Sequence, residues 1–136
     1  MKIRSSFVTN SSSTSYIISL KKGFGRDSFM KAIGSDGGSP MNRMFEQLFD
    51  AIQSEHQEIH KAASEYQCES VEELLDKTGF DKNTISTVEG LLKNGRTVYF
   101  GEFHSDGETA SERYFCCNSF VLSDDEIYFN GNISGW

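Results

Sequence analysis

Residues 39–66 read SPMNRMFEQLFDAIQSEHQEIHKAASEY. Ser39-Pro40 is a strong helix start, a serine at the N-cap followed by a proline at the first helical position. Behind it Met41, Phe45, Leu48, Ile52, Ile59, Ala63 and Tyr66 recur at three- and four-residue spacing. At about 100° per residue these side chains form one stripe. The spacing predicts a helix over residues 40–66, about 40 Å long at ~1.5 Å per residue. A helix with one apolar face must bury it against a second layer. The sequence on either side of the helix supplies that layer.

On the N-terminal side, Ile3 and Phe7 share one face of an extended Met1–Val8, opposite Lys2, Arg4 and Ser6. Residues 9–15 are polar and read as a turn. Tyr16, Ile18 and Leu20 then alternate with Ser15, Ile17 and Ser19, the period of a second strand. The two strands are expected to pair as a hairpin. Residues 21–39 are glycine-rich, with a short helix over 27–33 capped by Asp27 or Ser28. On the C-terminal side, Ser70 and Glu73 form a capping box for a helix over 71–78, stopped by Gly79. Asn83 or Thr84 opens a further helix through Ile85, Val88, Leu91 and Leu92. Strands are expected over 96–103, 112–122 and 126–130, with turns at 105–107 and 123–125.

Strands therefore cluster at both ends and helices fall between them, which argues α+β. The expected architecture is one antiparallel sheet built from an N-terminal hairpin and a C-terminal three-stranded meander. It packs against a long central helix and two shorter helices, with the long helix across one face. The 136 residues suit a single domain over 1–136. At 37% hydrophobic and 12% aromatic the chain is too apolar for intrinsic disorder. No run approaches the ~20 apolar residues that span a bilayer, so no membrane role is expected.

The opening MKIRSSFVTNSSSTSYII resembles the start of many small uncharacterised proteins of bacteria and their phages. The matching residues are Lys2, Ile3, Arg4, Phe7, Val8, Asn10 to Ser13, and Tyr16 to Ile18. Thr14 interrupts the serine run, and Tyr16 stands where the pattern carries Phe. The resemblance covers the first eighteen residues and implies a bacterial or phage origin; it carries no activity and no catalytic residues. Cys68, Cys116 and Cys117 are odd in number and two are adjacent, which does not suit a secreted disulfide framework. MKIRSSFVTN lacks the apolar core of a secretory signal. Reduced thiols in a bacterial host's cytoplasm are expected.

The net charge of −7 is unevenly spread. Residues 1–45 hold seven bases against two acids, and residues 46–136 hold six bases against eighteen acids. The acidic remainder disfavours direct nucleic-acid binding and suits a basic protein partner. Candidate partner-binding acids are Asp106 and Glu108 at one turn and Asp124, Asp125 and Glu126 at the next. They gain if they lie beside a helix face bearing Glu55, Glu58, Glu65 and Glu69. Lys2, Arg4, Ser11, Ser12, Lys21 and Lys22 are candidate anion-binding residues around the serine-rich tip. The competing reading of that tip is a turn whose hydroxyls bond their own backbone.

Candidate chemistry is sparse. His56 and His60 are four apart, a zinc-binding spacing on a helix, with His104, Cys68 or Cys116 as a third ligand. Gln57 stands where a zincin carries its glutamate base, and a hydrogen-bonded core histidine explains His56 equally. Cys116 or Cys117 with a histidine base is a nucleophile pattern, although buried thiols are commonly inert. Lys21 to Arg26 matches no phosphate-loop fingerprint. No catalytic residue, metal or cofactor is therefore assigned. The expected function is a non-enzymatic, phage-encoded module that docks on a host or phage protein with a basic surface and modulates or inhibits it. The most specific version inhibits a nucleic-acid-targeting defence complex. The alternatives are a small metal- or thiol-dependent enzyme using His56 and His60 with His104 or a cysteine, and a virion or scaffold component.

Overall fold

A computed structural model describes residues 13–34, 42–104 and 120–134. Strand β1 is Ser13–Leu20, helix α1 Arg26–Ala32 and helix α2 Asn42–Glu55. Strand β2 is Gln57–Glu58, followed by helices α3 Ile59–Glu65, α4 Val71–Lys77 and α5 Lys82–Lys93. Strands β3 Tyr99–His104, β4 Phe120–Ser123 and β5 Ile127–Ser134 complete the order. The described strands form a five-stranded antiparallel sheet in the order β2-β3-β1-β5-β4. The α+β class is as the sequence predicts, and β4 and β5 pair as its last hairpin. The first strand of the expected N-terminal hairpin lies outside the described residues.

Two expectations about the architecture need correction. The first concerns the long helix, which stops at Glu55. The His56 amide N–H donates to the Ile52 carbonyl at 2.8 Å, and His56 Nδ1 lies 3.0 Å from that oxygen and 3.1 Å from the Gln53 carbonyl. Carbonyls only accept, so Nδ1 carries the proton and caps the helix. Gln57 and Glu58 then extend to pair with Phe100 and Tyr99 of β3. The Glu58 carboxylate N-caps α3 by accepting from the Lys61 amide at 3.3 Å. The apolar stripe is continuous in sequence but divided in space. Leu48, Phe49 and Ile52 pack with Tyr16, Ile18 and Phe129, whereas Ile59, Ala62 and Ala63 pack with Ile17, Leu74 and Phe100. These are the two opposite faces of the sheet, since alternate residues of β1 point to opposite sides. Helices therefore cover both faces, not one, and the chain rounds the sheet edge at β2.

The second correction concerns strand order. Among the described strands β3 does not neighbour β4; β1 lies between β3 and β5. Tyr16 stands opposite Gly101 on one side and Gly131 on the other. Its ring stacks on Phe103 at 4.5 Å, and its hydroxyl donates to the Ile52 carbonyl at 3.4 Å, fastening α2 to β1. A Cβ at Gly101 would overlap that ring and hydroxyl.

Local capping accounts for α4 and α5. Ser70 Oγ accepts the Glu73 amide and Glu73 Oε1 accepts the Glu69 amide, as the sequence suggests for α4, and Gly79 at φ +93° ends the turn that follows. Helix α5 is capped by Asp81, which accepts the Thr84 amide at 2.8 Å, instead of by Asn83 or Thr84. Helix α1 follows Gly25 with no side-chain cap, so neither Asp27 nor Ser28 serves. Among the described residues no helix is long and apolar enough to cross a membrane.

Two stability effects follow. Gly101→Ala is expected to lower the unfolding free energy by about 1–3 kcal/mol through overpacking against Tyr16. Gly90→Ala, whose added methyl meets open space on α5, should be neutral or stabilising by about 0.5–1 kcal/mol. Denaturant titration separates the two. The bond from Thr84 holds the Asp81 carboxyl below the usual range, so its contribution is present above the unfolded pKa and lost as pH falls through the folded one. The stability gap between wild type and Asp81→Ala should therefore close in acid.

Candidate functional site

The antiparallel pairing of β1 with β5 places Leu20 opposite Ile127. The residues just after β1 consequently meet the turn just before β5. Lys21 donates its amide N–H to the Glu126 carbonyl at 2.9 Å, and Lys22 Nζ lies 3.6 Å from Glu126 Oε1. Two sets of candidates with opposite charge are thus side by side. Asp124 has a structural duty: its Oδ1 accepts the amides of Glu126 at 2.8 Å and Ile127 at 3.0 Å, closing the hairpin turn. Asp125 is exposed. Asp106, Glu108, Lys2, Arg4, Ser11 and Ser12 lie outside the described residues.

The two histidines are not brought together. His56 sits half-buried on the α1–α2 side, stacked on Phe24 at 4.4 Å and edge-on to Tyr99 at 4.7 Å. His60 is exposed on α3, its Nδ1 2.5 Å from Glu58 Oε2. Burial raises the Glu58 pKa, but the His60 side chain and the His60 and Lys61 amides outweigh it and hold the carboxyl low. Cys68 is half-buried against the α3–α5 core, its Sγ 3.7 Å from the Tyr66 carbonyl. Among the described residues no three His, Cys, Asp or Glu side chains are grouped to hold a metal ion. The His104 side chain, Cys116 and Cys117 lie outside the described part. Burial, then the Glu102 carboxylate that accepts its hydroxyl hydrogen, pushes Tyr66 up to about 12. Tyr66 is thus a neutral donor at physiological pH.

The charge asymmetry of the sequence becomes an asymmetry between layers. On the α1–α2 side, residues 21–34 and 42–56 carry five bases against four acids. On the α3–α5 side, residues 57–95 carry eight acids against four bases. Some of these acids are committed locally: Glu58 to His60, Glu73 to Lys77 and the Glu69 amide, Asp81 to its cap. Glu72, Asp76 and Glu89 make no side-chain hydrogen bond or ion pair among the described residues. All three line an open depression across α3, α4 and α5. One part, about 690 Å³, holds Glu72 and Glu89 with His60, Ser70 and Lys93, over Val71 and Leu92. The adjoining part, about 390 Å³, shares Ser70 and Glu72 and adds Glu73, Asp76, Lys82 and Ile85. Glu55, expected on an acidic face with Glu58, Glu65 and Glu69, belongs instead to α2 on the other side of the sheet.

The sequence reading passed over Glu72, Asp76 and Glu89. A signal was present, because Glu72 and Asp76 are one turn apart on α4, as are Ile85 and Glu89 on α5. No protein family, curated protein or solved structure matches the chain.

The turn geometry separates structural from surface acids. Asp124→Ala should cost about 0.5–2 kcal/mol, by analogy with the loss of a helix cap. Asp125→Ala should stay within about 0.5 kcal/mol of wild type, as exposed substitutions usually do. Equal losses in thermal unfolding would contradict this assignment.

Proposed function

We propose that the chain is a non-enzymatic protein-binding module of a bacterial cytoplasm, phage-encoded. It docks through its α3–α5 layer on the basic surface of a host protein and modulates or inhibits it. The observation that carries this reading is the segregation of charge. Among the described residues the acidic excess lies on one side of the sheet, and three of its carboxylates stand uncommitted around an open depression. Such a face steers a basic partner into one orientation and repels a phosphate backbone. The turn at 124–126 is a weaker docking site, since Lys22 faces Glu126 and Asp124 is spent on the backbone. A partner whose basic surface serves nucleic acid, such as a defence complex, is the most specific form of the proposal. The bacterial or phage setting draws support from the opening eighteen residues.

Charge reversal tests the proposal. The immobilised chain should retain a bacterial protein whose capture weakens between about 50 and 300 mM salt, where screening lengths shorten toward contact distance. Glu72→Lys with Glu89→Lys should reduce that capture about tenfold or more, whereas Asp125→Lys should leave it within about twofold. Capture that ignores both salt and the double reversal overturns the proposal.

A further inference from the structure

The depression across α4 and α5 has a shape as well as a charge, and the shape restricts what it can receive. We infer that the element docking there is an amphipathic basic α-helix of the partner, lying along α5; this rests on the docking function proposed above.

Three observations carry the inference. The depression has an apolar floor: Val71 at the start of α4 and Leu92 on α5, both half-buried. A purely polar basic loop would leave that floor unmatched. A second helix running alongside presents a single apolar stripe to such a floor. The rim is net acidic, with Glu72, Glu73 and Asp76 on α4 and Glu89 on α5 against Lys82 and Lys93. A helix with an apolar stripe flanked by Lys or Arg meets floor and rim together. Finally, α4 and α5 are helices, whose backbone groups bond within themselves. They give a docking strand no ladder to join. An extended segment pressed into the depression would bury backbone N–H and C=O groups without partners, at about 1–3 kcal/mol each. A helix arrives with its own backbone satisfied. The 12 residues of α5 span about 18 Å, so three turns of a partner helix fill the length.

Three synthetic peptides serve as probes: an 18-residue amphipathic leucine–lysine helix, a scramble of the same composition without periodicity, and oligolysine. Binding is read by fluorescence anisotropy at about 100 mM salt, and helix formation by circular dichroism. The amphipathic peptide should bind at least about tenfold more tightly than the scramble and gain helicity on binding. Its largest amide shift changes in the protein's NMR spectrum should fall on α4 and α5, a readout on wild type that needs no variant to fold. Leu92→Ser and, separately, Val71→Ser should erase the advantage over the scramble while oligolysine binding persists. An amphipathic peptide that binds no better than the scramble, while oligolysine still depends on Glu72 and Glu89, overturns the helix inference and leaves the docking function standing. Binding of all three peptides that is unaffected by Glu72→Lys with Glu89→Lys overturns both.

Discussion

The fold turns on a single strand that has no free side. Tyr16, Ile17 and Ile18 of β1 are fully buried, because helices press on both faces and strands pair on both edges. Such a strand cannot slip. A shift of one residue would send Tyr16 and Ile18 to the face now held by Ile17, and each would meet the wrong layer. The register is fixed further by Tyr16, whose ring needs the bare backbone of Gly101 beside it. At the far end Ser19 donates to the Thr97 carbonyl at 2.8 Å and accepts from Arg96 Nε at 3.2 Å. Arg96 also reaches the Ser19 carbonyl. The link leading into β3 is thereby tied to the strand it must join. The cost of this position falls on Thr14 and Ser15, whose buried hydroxyls have no partner among the described residues.

Given that strand, the crossing at residues 56–58 becomes a necessity. One run of helix cannot cover two faces of a sheet, so the chain must pass round an edge. His56 closes α2 on its own carbonyls, two residues take up strand pairing, and Glu58 opens α3. The apolar period survives the interruption because seven residues separate Ile52 from Ile59, two helical turns. That coincidence explains why the sequence read as one helix. Gln57 and Glu58 carry no breaking residue. What breaks the helix is their pairing with Phe100 and Tyr99, more than forty positions away.

The same contrast governs the rest of what the sequence made legible. Signals that act within a few residues could be read: the Ser70 cap, the glycine after α4, the alternation of Tyr16, Ile18 and Leu20, the turn before β5. Signals that depend on distant partners could not. Nothing local tells β3 to lie beside β1 and not beside β4. Asp81, Asn83 and Thr84 are all competent caps, and the choice among them rests on which one leaves Ile85 and Val88 facing the core. At the surface, Lys22 and Glu126 were each visible as charges, but only the strand pairing makes them neighbours. Lys22, which faces the acidic turn, lies more than a hundred residues away from it in the chain.

The acidic layer, by contrast, gains its character from a division of labour inside single helices. Helix α4 buries Leu74 and Leu75 in the core and turns Glu72 and Asp76 outward. Helix α5 buries Ile85 and Val88 and leaves Glu89 exposed. The residues that hold the layer to the sheet are therefore distinct from those that give it charge. Asn130 and Asn132 of β5 add polar ties to the same layer, donating to Thr84 Oγ1 at 3.2 Å and to the Thr78 carbonyl at 3.3 Å. A face anchored in this way can carry mutual repulsion among its carboxylates without loosening. Repulsion among exposed groups is small and screened by salt, whereas fully burying a leucine contributes about 1.5–3 kcal/mol. The balance favours a rigid platform whose outer chemistry is free to be set by what it meets.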